Sequence, residues 1–143
     1  MITFLPKASD NLSPTMRDSA VVLPEVISKE PLGPAVRQGD DQWFDIVRWT
    51  LLAMIDAEDL GISSANIDDL ANSDRADIRD FLANESGPRL QLSRDWAANI
   101  IRMVGNYEEV FERNVGSRSR LAIPRGLNKL WKNGGIQYAP PLR

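Results

Sequence analysis

Residues 21–44, VVLPEVISKEPLGPAVRQGDDQWF, decide the fold of this chain. They begin with three aliphatic residues that favour a strand. Three prolines follow, and each lacks a backbone N–H and disfavours helical geometry in the residue before it, so no helix runs through this part. Asp40 or Asp41 then precedes two aromatic residues, which is typical of a capped helix start. The stretch predicts a strand, a stiff crossing, a second extended piece at 33–38 and a long helix, as in a chain that passes between two lobes.

The longest helix is predicted over residues 40–60. Apolar residues recur there at three- and four-residue spacing, and further apolar residues flank this stripe. The apolar arc is therefore wide, and we expect the helix to be buried on more than one side. Gly61 is predicted to end it, because glycine readily adopts the left-handed conformation of a helix terminus.

The rest of the chain reads as shorter helices. Cap residues and apolar spacing predict helices near 63–70, 74–82, 94–104, 106–114 and 124–131, with Gly87 and Pro88 breaking the chain between the second and third. Residues 1–5 and 136–138 read as extended. The expected fold is one α/β unit of two or three short strands followed by about six helices, with four tryptophans in the core: Trp43, Trp49, Trp96 and Trp131.

Composition excludes several kinds of function. The chain has 143 residues and a net charge of −3, with scattered Lys and Arg, so a nucleic-acid partner is not expected. It has no Cys and no His, which removes thiol nucleophiles, disulfides, Ser-His-Asp triads and the usual zinc ligands. Adjacent acids such as Glu108 and Glu109 point in different directions on a helix and are interpreted as caps. We therefore expect no catalytic residue, no metal site, no cofactor and no enzymatic activity.

A mild basic cluster follows the later helices. It consists of Arg113, Arg118, Arg120 and Arg125. We interpret it as a solvated face, and contact with a partner or an anionic membrane surface remains the alternative.

Several long motifs carry a resemblance to a known family. They are LPEVISKEPLGPAVRQGDDQWFDIVRWTLLAMIDAEDLGI, DWAANIIRMVGNYEEVFERNVG, RGLNKLW and GGIQYAPPLR, in this order. The first resembles the region near the C-terminus of periplasmic substrate-binding proteins of polar amino-acid ABC transporters. The other three motifs resemble the C-terminal extension that is found in one subfamily of these proteins, the general L-amino-acid-binding subunits. The resemblance covers roughly residues 22–143, with gaps near 63–93.

The resemblance implies a C-terminal portion of a type II periplasmic-binding-protein fold. Residues 1–39 would be a partial second lobe with the hinge crossing, and residues 40–143 the helical part of the first lobe plus the extension. The implied function is solute binding for amino-acid uptake in the periplasm, with L-amino acids and an ABC permease of the inner membrane as partners. The start MITFLPKASD does not read as a signal peptide, so we expect the chain to begin downstream of its export signal.

Two sets of residues are candidates for function by this resemblance. Asp10 is the nearest candidate for the acid that holds the ligand's amine. The alternative is that Asp10 is a solvated loop residue. The hinge is expected at Lys29, Glu30, Pro31, Leu32 and Gly33, where a few residues absorb the change in backbone angles when lobes close; from the residues alone, a plain loop is the alternative. Most of the ligand site is expected upstream.

The alternative function is a helical interaction or structural domain that binds no ligand. Exposed apolar surface would then cause self-association, which we also expect if lobes are missing.

Overall fold

The computed structural model describes residues 33–142. Five α-helices lie within this range: α1 (Asp41–Leu60), α2 (Ala76–Leu82), α3 (Ser86–Arg89), α4 (Trp96–Val104) and α5 (Tyr107–Asn114). Three short 3-10 helices span Asp69–Asn72, Gly126–Asn128 and Trp131–Asn133. The only β pairing among the described residues is an isolated parallel bridge between Leu130 and Gln137. This part of the chain is mostly helical, as expected.

Helix α1 begins and ends at the predicted residues. The Asp40 carboxylate accepts a hydrogen bond from the backbone N–H of Trp43 at 3.0 Å, which satisfies one of the free donors of the first turn. Gly61 has a φ of 77°, and its N–H donates back to the last turn of the helix. The sequence therefore specified both ends of this helix correctly.

Burial of α1 is confined to its second half. Ala53, Ile55 and Ala57 are buried, whereas Trp43 and Phe44 are 51% and 49% exposed. The expectation of burial on more than one side is thus wrong for the first two turns. In those turns, the rest of the described chain leaves Trp43 and Phe44 uncovered, while Ile46 packs against the core.

The core lies where α1 meets α2, α4 and α5. Phe81 of α2 and Ile101 of α4 are completely or almost completely buried. Trp96 is also buried, and its indole N–H donates to the Asn84 side-chain oxygen at 3.2 Å. The core cluster comprises Ala53, Ala57, Ile62, Ile67, Ile78, Phe81, Leu90, Trp96, Ala97, Ala98, Ile101 and Leu142. Because Leu142 belongs to it, the C-terminal end of the described chain packs back against the helices.

The tryptophan prediction holds only in part. Trp96 is a core residue, and Trp49 packs against the core from a half-buried position. Trp43 and Trp131 are more than half exposed, so their assignment to the core is wrong for the described residues.

The helix predicted over 63–70 is replaced by turns and the Asp69–Asn72 3-10 helix. The Asn66 side chain accepts from the Ser63 N–H at 2.8 Å and donates to the Gly61 carbonyl at 3.0 Å. These bonds give the backbone local partners other than a helical ladder, which explains the difference.

The helix predicted over 124–131 is also absent and appears as two 3-10 turns. Gly126 has a φ of 49°, which interrupts helical geometry. The Trp131 N–H donates to the Gln137 carbonyl at 2.9 Å, so it is committed to the extended chain that follows. Of residues 136–138, which were expected to be extended, Gln137 forms the isolated bridge and its two neighbours have no regular secondary structure.

The break expected at Gly87 and Pro88 is a single helical turn, α3. Proline is tolerated there because N–H groups in a first turn have no helical acceptor. The predicted strands at 1–5 and 21–23 lie outside the described residues. The piece expected to be extended at 33–38 forms no strand: residues 33–37 have no regular secondary structure and a turn follows.

Candidate functional site

The predicted hinge and ligand residues fall almost wholly outside the described range. They are Asp10, Lys29, Glu30, Pro31 and Leu32, which remain predictions. Gly33 is described; it is exposed, and a Cβ placed on it would meet nothing within 4 Å. Neither space nor a positive φ requires glycine at this position.

The most buried charged contact of the described residues joins Arg125 to Glu58 of α1. Nη1 and Nη2 of Arg125 donate to Oε1 and Oε2 of Glu58 at 2.7 Å and 2.9 Å, respectively, which is a bidentate geometry. The side chains are only 8% and 6% exposed. Arg125 therefore does not belong to a solvated basic face, and that part of the sequence interpretation is wrong.

Other groups complete the environment of the Arg125 guanidinium. Nη2 also donates to the Asn128 carbonyl at 2.8 Å, and the Glu108 carboxylate lies 3.6 Å from Nη1. The rings of Tyr107 and Phe111 of α5 lie 5.6 Å and 5.7 Å from the guanidinium carbon. Burial alone lowers the pKa of Arg125, but the hydrogen bonds and charge of Glu58 raise it by more, so the net shift is upward.

Two further contacts join the end of α1 to residues 125–142, which we call the C-terminal segment. The Lys132 ammonium donates to the Asp59 carbonyl at 2.8 Å and lies 2.6 Å from its carboxylate. The Leu142 N–H donates to Asp56 Oδ2 at 3.4 Å. Acids near a helix C-terminus oppose the helix dipole, and α1 has no basic residue in its last turn. The C-terminal segment supplies the positive charge that α1 itself lacks.

Asp56 stands apart from the other two acids because it has no cation as a partner among the described residues. Its pKa is raised from 3.8 to about 6: burial is the largest cause, the charges of Asp59 and Asp77 act in the same direction, and the hydrogen bond from the Leu142 N–H opposes them. Its ionised form is therefore disfavoured in the folded state.

A shallow cleft of about 270 Å³ lies over the Arg125–Glu58 pair. It is lined by Glu58, Glu108, Arg125, Lys129, Leu130, Lys132 and Asn133. The paired guanidinium nitrogens already donate to Glu58 and Asn128, and no partner among the described residues meets Arg125 Nε. Chemically, this arrangement fastens the C-terminal segment to α1, and it has no free bidentate donor for a carboxylate ligand.

A second tie, around Glu109, holds α5 to the loop after α1. The Asn106 side chain accepts from the Glu109 N–H at 2.9 Å, and Glu109 accepts from the Asn106 N–H at 2.8 Å, which completes a capping box. Glu109 also accepts from the N–H and the hydroxyl of Ser64 at 3.1 Å and 2.5 Å. Burial raises the pKa of Glu109, but these hydrogen bonds lower it by more. The interpretation of Glu109 as a capping residue is confirmed.

Within residues 33–142, no three acidic, Cys or His side chains come together as a possible metal site. No helix in that range is both long and apolar enough to cross a membrane.

The family is identified by comparison with individual curated proteins and solved structures, since no family model matches the chain. It is 62% identical over 130 residues to the general L-amino acid-binding periplasmic protein AapJ of Rhizobium johnstonii, covering 88% of this chain and 38% of that protein. It is 62% identical over 126 residues to the putative amino-acid ABC transporter-binding protein YhdW of Escherichia coli, covering 86% and 37%.

A third relative is the glutamate/glutamine/aspartate/asparagine-binding protein BztA of Rhodobacter capsulatus, which is 48% identical over 126 residues and covers 86% and 37%. Among solved structures, an ABC transporter periplasmic binding protein from Brucella ovis with glutathione bound matches with a TM-score of 0.82 and 51% identity. That match covers 89% of this chain and 41% of the Brucella chain.

The chain thus spans a little over a third of the length of the curated relatives it matches. The identity over most of this chain and the shared backbone geometry agree with each other. The chain belongs, as a C-terminal portion of the fold, to the periplasmic substrate-binding proteins of amino-acid ABC transporters.

Proposed function

We propose that the protein of which this chain forms part is the solute-binding component of an amino-acid ABC transporter, works in the periplasm and delivers free L-amino acids to an inner-membrane permease. The observation that carries this proposal is 62% identity over 88% of the chain to a general L-amino acid-binding periplasmic protein. The action is non-covalent capture. Binding proteins need no nucleophile or metal, which agrees with a sequence that has no Cys and no His.

In this proposal the parts of the chain have separate tasks. Residues 1–39 supply part of the second lobe and the hinge crossing at 29–33, and Asp10 is the candidate acid for the ligand's amine. Residues 40–143 supply the helical part of the first lobe and the C-terminal extension. The exposed aromatic start of α1 supports this division, because Trp43 and Phe44 form an apolar surface suited to packing against a further layer of structure.

The chain alone is expected to bind amino acids weakly or not at all. In the cleft over Arg125, the guanidinium is already engaged by Glu58 and is not free to bind a ligand's carboxylate. Calorimetry of the 143-residue chain with glutamine, glutamate or leucine is expected to give no micromolar binding heat.

Transport tests the function directly. In the Rhizobium relative, the matched region is replaced by the corresponding residues of this chain, and we call the product the chimera. The chimera is expressed in cells that retain the relative's permease but lack its binding protein. We expect it to restore uptake of labelled glutamate. A chimera that is folded and exported, yet supports no uptake of any amino acid, would refute the proposal.

The alternative, a helical interaction domain without a ligand, is favoured by one observation: large apolar side chains are exposed at the start of α1, at the end of α4 and in the C-terminal segment. Under that alternative, the chain self-associates and the chimera binds no amino acid. Light scattering together with the uptake assay separates the two functions.

A further inference from the structure

The C-terminal segment presents a large apolar surface to solvent. Ile136 is 67% exposed, Tyr138 63%, Trp131 58% and Leu127 44%. We call these four residues the Trp131 surface. Soluble proteins rarely leave several large apolar side chains exposed close together unless the surface contacts something.

The Trp131 surface is built on a fixed backbone. The Ile136 N–H donates to the Leu127 carbonyl at 2.9 Å, and the Trp131 N–H donates to the Gln137 carbonyl at 2.9 Å. Gly135 packs so closely that a Cβ placed on it would lie 1.8 Å from the Lys129 carbonyl oxygen. The four exposed side chains therefore project from one preformed unit and not from a frayed end.

The same unit is fixed to the core from below. Leu130, between Leu127 and Trp131, is only 2% exposed, and Lys132 pairs with Asp59 of α1. The surface has thus a defined orientation relative to α1, as a packing surface requires.

The charges around the Trp131 surface indicate what kind of partner it fits. Residues 125–142 contain no acidic residue, so their charged side chains are all cationic. Two of these cations, Arg125 and Lys132, are neutralised by ion pairs with acids of α1. Among the described residues of this segment, Lys129 is the one cation that forms no ion pair, so little free charge remains to attract an anionic membrane. Trp, Tyr and Ile in a nearly neutral setting favour burial against apolar polypeptide.

We propose that the Trp131 surface packs against the part of the binding-protein fold that this chain does not span. The Brucella structure has a similar backbone geometry within a protein of which this chain covers 41%, so more than half of that chain is available to cover the surface. The inference rests on membership of the family and does not depend on which solute is bound. It assigns the extension a role in holding the remainder of the fold in place.

Thiol labelling tests this packing, because the chain has no Cys. Ile136→Cys is introduced into the 143-residue chain and into the chimera, in which any other cysteine is replaced by serine. The rate of reaction with a water-soluble maleimide is then measured without amino acid. Asp80→Cys, at an exposed position of α2, is the matched control. We expect the Ile136→Cys thiol to react at least about tenfold more slowly in the chimera than in the chain, and the control to differ by less than about twofold.

Equal Ile136→Cys rates in the two proteins would overturn the proposal. So would protection that is already present in the chain and is accompanied by a dimer in light scattering, since a second copy would then be the occupant. If the chimera does not fold, the same measurement is made on the intact Rhizobium relative with Cys at the position aligned with Ile136, where a fast reaction also overturns the proposal. Because labelling needs no amino acid, failed uptake with a protected thiol counts against the proposed function alone.

Discussion

Removing the charge of Arg125 is expected to destabilise the chain strongly. In Arg125→Met, the Glu58 carboxylate loses both donors at 2.7 Å and 2.9 Å and remains only 6% exposed. Breaking a buried ion pair by removing one partner costs about 3–5 kcal/mol. Since the cleft gives Glu58 some access to water, we expect about 3 kcal/mol, or roughly a 10 °C decrease in melting temperature for a chain of this size.

Urea denaturation followed by circular dichroism at pH 7 measures this loss. Arg120→Met is the matched control, because Arg120 is exposed and forms no ion pair among the described residues; its effect is expected to stay below about 0.5 kcal/mol. The double variant Arg125→Met with Glu58→Leu removes both charges and is expected to recover at least about 1 kcal/mol relative to Arg125→Met. An Arg125→Met variant as stable as its control, or a double variant no more stable than Arg125→Met, would refute the reasoning.

Three further predictions concern single residues. Asp56→Asn is expected to stabilise the chain by about 1–2 kcal/mol at pH 7 and by little at pH 4. The reason is that the raised pKa of Asp56 makes the stability of the wild-type chain fall as pH rises from 3.8 to about 6. A gain in melting temperature that does not grow with pH would contradict this. Asn106→Ala removes the capping box and the 2.8 Å bond to the Ile62 carbonyl, and is expected to cost about 2 kcal/mol in urea; a loss below about 0.5 kcal/mol argues against that role. Gly135→Ala forces a Cβ against the Lys129 carbonyl and should cost about 1–3 kcal/mol, whereas Gly33→Ala, with open space around it, should be nearly neutral; equal melting temperatures for the two variants would be the contrary result.

The best-predicted part of the fold was the part specified by local signals. Asp40 and Gly61 made both ends of α1 predictable, because a cap and a left-handed glycine act within a few residues of their own position. Asn106 and Glu109 made the start of α5 predictable for the same reason.

Features that depend on distant residues were missed. Arg125 was interpreted as a solvated cation, because its partner Glu58 lies 67 residues earlier in the chain and nothing near Arg125 indicates burial. A local pattern does not contain such a long-range bond. The helix expected over 124–131 failed for a nearer reason, since Gly126 has a φ of 49° and the Trp131 N–H is taken by Gln137, six residues later.

The aromatic residues show a second limit of the sequence. Apolar spacing marked Trp43 and Trp131 as packing residues, yet both are more than half exposed in the described structure. Periodicity reports that a side chain is suited to burial and does not report which polypeptide covers it. For the candidate site, the sequence supplied the family, which the relatives confirm, while Asp10 and the hinge remain predictions.

Calorimetric titration of the chimera with L-glutamate and L-glutamine tests most directly whether this chain completes an amino-acid-binding protein. We expect a saturable one-to-one binding heat at micromolar or lower concentration for the chimera and none for the 143-residue chain. A folded chimera that gives no heat with any L-amino acid, or a 143-residue chain that binds as tightly by itself, would contradict the account.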